Sequence, residues 1–137
     1  MYSLHHAVIS LLVSIGLVSV LSPVVVAEQA LSPIVLILYG TAVGVLIDLD
    51  HFLIARIRTG SWEAIRFCLT NPRAVVFDQG RIFGWGDVGV LHRLLSHLLI
   101  AGSIVSLQAL ESPSLALLTG VVLYVHLLCD LVWDIFG

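Results

Sequence analysis

The stretch GVLIDLDHFL, residues 44–53, puts Asp48, Asp50 and His51 within four positions at the end of a long apolar run. Asp48 and His51, at i and i+3, share one face of a helix, with Asp50 turned away unless the helix unwinds there. Further along, HRLLSH carries His92 and His97, and HLLCD carries His126 and Asp130, followed by Asp134. The last three, at i, i+4 and i+8, form one stripe. His92 and His97 are five apart, poor spacing for one helical face, so His92 would work best from a loop just before the helix that holds His97. A carboxylate in hydrocarbon costs about 2.5–3.5 kcal/mol on insertion scales, and neighbouring carboxylates repel. A divalent cation relieves both penalties. Imidazole nitrogen and carboxylate oxygen without thiolate suit zinc, manganese or iron. The candidate ligands outnumber the positions on one tetrahedral ion, which points to two ions with a bridging carboxylate, an arrangement that activates water against phosphoesters and related bonds. Arg93, beside His92, would hold an anionic substrate group.

These side chains need a scaffold, and composition names its class. Of 137 residues 59% are hydrophobic and only 11% charged, with mean hydropathy +1.09. That is far from the roughly 25% charged residues of soluble domains. The expected fold is all-α: a single integral membrane domain, residues 1–137, built as a four-helix bundle of two helical hairpins. Spans of about 20 apolar residues are predicted over 6–27, 31–50, 92–110 and 113–133, with Pro23 bending or ending the first one early. Ser32-Pro33 and Ser112-Pro113 each give an N-cap followed by proline at the first helical position. The apolar N-terminus lacks a basic n-region and a cleavage signal near Ala27, so it reads as a retained helix. A polar loop, 51–91, separates the hairpins. Within it SWEAIRFCLT spaces Trp62, Ile65 and Leu69 helically, between a Ser61 cap and Asn71-Pro72, as a short interfacial helix.

Five of the six basic residues, all arginines, lie in that loop, which the positive-inside rule assigns to the cytoplasm together with both termini. Alternating helix direction then brings His5, His6, Asp48, Asp50, His51, His92, His97, His126, Asp130 and Asp134 to one end of the bundle. The other end offers only Glu28, Gln29 and Glu111 as strongly polar groups. A net charge of −3 excludes a nucleic-acid footprint. The absence of lysine excludes Schiff-base and Walker-type chemistry, and two cysteines make neither a disulfide framework nor a thiolate metal site. GWGDVG, residues 84–89, matches a dinucleotide fingerprint in letters only; its glycines turn the loop back toward the membrane, with Trp85 at the interface. Gly40 and Gly44 allow close helix packing, within the bundle or between subunits of a homo-oligomer.

With an early histidine (His6), IDLDH at 47–51, HRLLSH at 92–97 and HLLCD at 126–130, the chain resembles the YdjM-like family of membrane-bound metal-dependent hydrolases. The four motifs stand in the family's order and span nearly the whole chain. The resemblance implies a metal set of His6, Asp48, Asp50, His51, His92, His97, His126 and Asp130. Ile47, Leu94, Ser96 and Leu98 replace the family's usual Pro, Gly, Thr and Ser around those ligands. A weaker similarity, to the helical zinc phospholipase C and P1 nuclease group, favours phosphoester substrates.

The expected function is therefore hydrolysis of an ester or phosphoester, a lipid headgroup being the natural substrate, by metal-activated water in a prokaryotic cell membrane. Zinc is the first expectation, manganese or iron the others. Asp50 bridges ions or acts as general base, His97 serves as ligand or acid, and Arg93 anchors the anion. The alternative is a non-catalytic, metal-stapled membrane anchor or assembly protein. An ion or proton transporter is a third reading, against which stands the scarcity of mid-span polar residues, limited to Tyr39, Thr41 and Tyr124.

Overall fold

Proline, serine and glycine punctuate an almost wholly helical chain. The computed structural model describes residues 3–84 and 86–136, so the interfacial position expected of Trp85 falls outside it. Helix α1 (Ser3–Val20) is followed by a two-residue ladder, β1 (Val25–Val26) with β2 (Gln29–Ala30). Helix α2 (Pro33–Leu46) then passes through a 3-10 turn (Ile47–Leu49) into α3 (Asp50–Thr59). Two short helices, α4 (Glu63–Thr70) and α5 (Pro72–Phe77), and a 3-10 turn at Gln79–Arg81 lead to α6 (Val90–Glu111) and α7 (Pro113–Phe136). Four helical stretches among the described residues are long and apolar enough to cross a membrane: α1, α2 continued through α3, α6 and α7.

The ends of the first two spans depart furthest from the expected bounds, the first of them in the way Pro23 allowed. The first helix ends at Val20, because Pro23 disfavours helical backbone at the residue before it. The chain turns instead through Ala27 and Glu28, both at positive φ (48° and 65°), with the Ala27 amide donating to Glu111 Oε1 at 2.9 Å. Left-handed backbone at both central residues is what a tight hairpin turn requires. The second helix does not stop near Asp50, since nothing there breaks it. It runs on to Thr59, where Gly60 at φ 72° closes it and donates to the Arg56 carbonyl. At 1.5 Å per residue, Pro33–Thr59 is about 40 Å long, more than the roughly 30 Å hydrocarbon core of a bilayer. Such a stretch is long enough to cross one with residues to spare.

The start signals read from sequence are in place. Ser32 Oγ accepts from the Val35 amide with Pro33 in the first turn of α2, and the Ser112 carbonyl accepts from the Ala116 amide at the start of α7. Helix α4 begins where Ser61 Oγ accepts from the Glu63 amide and ends at Asn71.

Packing is inverted relative to a water-soluble bundle. Every buried residue of α1 is polar, namely His6, Ser10 and Ser14, and the one buried residue of α6 is His97. Large apolar side chains face outward, with Leu38, Leu107 and Leu110 at 62%, 68% and 86% exposure. An apolar surface this continuous marks contact with another apolar phase. Inside, Val24, Leu36, Leu118 and Val122 form the apolar core. The 6, 10, 14 stripe of α1 lies against α2, where a Cβ on Gly40 or Gly44 would collide with Ser14 Oγ or Ser10 Oγ. The Gly40–Gly44 pair thus serves packing inside the chain, with α1 and α2 running antiparallel.

This predicts that Gly40→Leu, forced against Ser14 and Val122, destabilises the protein by about 1–3 kcal/mol. Gly16→Leu, where a Cβ meets nothing within 4 Å, should leave the melting temperature in detergent unchanged or raised. Equal melting of the two variants would contradict the packing account.

Candidate metal centre

Seven titratable side chains from four helical stretches converge at one end of the bundle. Helix α1 contributes His6, its first turn lying near the last turns of antiparallel α7. The 3-10 turn supplies Asp48, the first turn of α3 supplies Asp50 and His51, α6 supplies His97, and α7 supplies His126 and Asp130. The 3-10 turn explains how Asp50 joins. At about 100° per residue, Asp48 and Asp50 would diverge by about 160°; tightening toward 120° per residue reduces this to about 120°. The helix overwinds there, and so Asp50 is less turned away than an unbroken helix would leave it.

Donor atoms form two groups, each within 4.8 Å: His6, Asp48, His126 and Asp130, and Asp48, His51 and His97. Asp48 belongs to both. Its Oδ1 lies 3.3 Å from His97 Nε2, 3.3 Å from His126 Nε2 and 3.6 Å from His51 Nε2, while its Oδ2 faces His6 Nε2 at 4.0 Å. Asp130 completes the deeper group, with Oδ1 3.0 Å from His6 Nε2 and Oδ2 3.5 Å from His126 Nε2. The His6 and His126 rings stack with centroids 3.8 Å apart. Burial is nearly complete for His6, His97, His126 and Asp130, at 1–3% exposure.

Surrounding groups determine which nitrogen each imidazole presents. His126 Nδ1 lies 2.7 Å from the Gly44 carbonyl, which can only accept, so Nδ1 carries a proton, and the neutral imidazole would present its Nε2 lone pair inward. His97 Nδ1 likewise donates to Asp50 Oδ2 at 2.8 Å, turning its Nε2 toward Asp48. A carbonyl or carboxylate behind a histidine is the usual outer support of a metal ligand. Ser96 Oγ donates to the same Asp50 oxygen, while Asp50 Oδ1, His51 Nε2 and His126 Nε2 are buried without hydrogen-bond partners among the described residues.

A divalent ion fits this donor set. Ligands around a tetrahedral ion with bonds of about 2.0–2.1 Å stand about 3.3–3.4 Å apart, and the contacts of Asp48 Oδ1 with His97 and His126 have that spacing. His126 Nε2 lies as close to two carboxylate oxygens, yet with no hydrogen-bond geometry to either. A shared cation would satisfy both carboxylate oxygens and Nε2 at once.

Of the expected metal set, His6, Asp48, His51, His97, His126 and Asp130 are brought into these groups. Asp50 adjoins them as the support of His97, and the carboxylate common to both groups is Asp48, where the expectation put Asp50 between ions. His92 is exposed and in neither group. Because α6 begins at Val90, His92 is already helical, and five residues turn it about 140° away from His97. Arg93 is not a free anion anchor: its Nε lies 3.6 Å from Asp130 Oδ2, and its guanidinium donates to Asp134. It braces Asp130 and so orients a ligand. The Gly44 carbonyl and Ser96 were not identified as supports from sequence; only the small-residue pair and the motif around His97 mark their positions. His5 is exposed and stacks on Trp133, and both cysteines are free and outside the centre.

Compared with protein-family models, curated proteins and solved structures, the chain matches none of them.

Asp50→Ala should preserve the fold while weakening metal binding by about 10–100-fold, through loss of the His97 support. Metal titration of the purified protein checks this; unchanged affinity would remove Asp50 from the centre.

Proposed function

We propose that the chain is an integral membrane protein, a bundle of two helical hairpins, that acts as a metal-dependent hydrolase on an ester or phosphoester. The observation carrying this reading is the aim of His126 Nε2, turned inward by the bond from Nδ1 to the Gly44 carbonyl and facing Asp48 and Asp130. The motif resemblance to the YdjM-like family supports the same activity, with zinc first, then manganese or iron. A bound divalent ion supplies Lewis acidity toward a carbonyl or phosphoryl oxygen and makes bound water acidic enough to attack near neutral pH.

The chain's own residues perform the remaining work. Asp48, Asp130, His6 and His126 hold the ion, and Arg93 with Asp134 keeps Asp130 in place. The free oxygen of Asp50, 3.8 Å from His51 Nε2, is a candidate to take a proton from attacking water. Asp48, His51 and Arg93, with side chains 14–16% exposed, lie on the more open side, where substrate would enter. Placed at an end of apolar helices, the centre meets lipid headgroups at their own depth. The arginines of 56–81 orient this end toward the cytoplasm under the positive-inside rule.

Detergent-purified protein should carry near-stoichiometric zinc, manganese or iron by mass spectrometry, and the His126→Ala/Asp130→Ala variant should lose it. The wild type should turn over a member of an ester and phosphoester panel, and His97→Ala should not. Metal without turnover of any ester, with ligand variants that only melt earlier, would support a metal-stapled anchor instead. Protein that takes up no metal after reconstitution with each ion refutes the reading.

A further inference from the structure

Resting on the metal-binding reading above, we propose that the centre takes two unlike ions bridged by Asp48: an inner one held firmly, and an outer one that exchanges and meets the substrate. The two donor groups differ in composition and in access. The inner group has four protein donors, His6, Asp48, His126 and Asp130, drawn from α1, the 3-10 turn and α7. The side chains of His6, His126 and Asp130 are no more than 5% exposed. Four donors close a tetrahedral shell, the arrangement of a firmly held ion. The outer group has three, Asp48, His51 and His97, and includes the two least buried members, Asp48 and His51, at 14% and 16%. Three protein donors leave a position open for water or substrate.

The atoms left over match this division. His126 Nε2 is the unpartnered buried nitrogen of the inner group, and His51 Nε2 that of the outer one. Each imidazole of the pair His126 and His97 has its own Nδ1 support: the Gly44 carbonyl for one and Asp50 for the other. Asp48 stands between them with Oδ1 toward His51, His97 and His126 and Oδ2 toward His6.

Charge points the same way. Among the described side chains, Asp48, Asp50, Asp130 and Asp134 outnumber the one guanidinium, Arg93, and each divalent ion bound adds two positive charges toward holding an anion. Loss of the outer ion therefore weakens the hold on a phosphate ester. The substrate class this selects is an anionic phosphoester, whether carried on a lipid or free in water.

The test is metal counting on the full-length chain. Loaded with Mn²⁺ and freed of excess, the wild type should hold two ions per chain and show a spin-coupled electron paramagnetic resonance signal. Dialysis against chelator should remove one ion first, leaving one per chain and the six-line signal of isolated Mn²⁺. His51→Ala, and His51→Gln should the alanine variant not fold, should hold one ion from the start. One ion per chain at saturation overturns the proposal while leaving the metal-dependent reading intact, as does loss of both ions in a single step. No bound ion at all overturns both. With phosphate vesicle lipids and a soluble phosphate monoester as probes, binding should fall at least about tenfold once the outer ion is removed; unchanged binding would contradict its role.

Discussion

Carboxylates and imidazoles drawn together around Asp48 set the terms for this molecule. Asp48 and Asp130 face the Nε2 atoms of His6, His97 and His126 at 3.0–4.0 Å, close to the spacing of a coordination shell. Buried carboxylates left without a proton or a cation beside them would push the helices apart. A shared cation makes the arrangement cohesive, and the helix ends are then joined through one point. The Gly44 carbonyl behind His126, the Asp50 carboxylate behind His97 and the Arg93 guanidinium behind Asp130 all serve to keep those atoms aimed inward.

The rest of the packing follows from the need to bring polar side chains to the axis while the exterior stays apolar. Serines rather than leucines line the inner stripe of α1, and glycines face them on α2, so the backbones approach closely enough for His6 to reach the centre. The same approach leaves the Gly44 carbonyl within reach of His126. Steric economy on one helix pair and tautomer choice on a third helix are therefore a single design, and a side chain at position 44 would disturb both.

Much of this was legible in the sequence. Apolar runs and the Ser-Pro starts give the spans, and alternation of direction gathers the histidines at one end; His6, Asp48, His51, His97, His126 and Asp130 meet as that logic requires. What was not legible depends on local winding. A one-turn 3-10 segment has no sequence signature here, yet it decides that Asp48 is shared and Asp50 supports a neighbour. His92 was misplaced because α6 starts two residues before it, and helix ends are where periodicity carries least information. Arg93 looked available because its partner Asp134 lies 41 positions away and comes close only when α6 packs on α7. The continuation of the second helix to Thr59 was hidden by the polar residues that begin at Asp48, which a hydropathy reading takes for the end of the helix.

X-ray absorption at the metal edge of the loaded protein shows whether a divalent cation occupies this His/Asp centre. The expected result is a shell of nitrogen and oxygen alone at about 2.0–2.1 Å, with the imidazole scattering pattern of more than one histidine. His126→Ala should diminish that pattern. A sulfur shell at about 2.3 Å, which only Cys68, Cys129 or the methionine could provide, or a spectrum of fully hydrated metal, would contradict it.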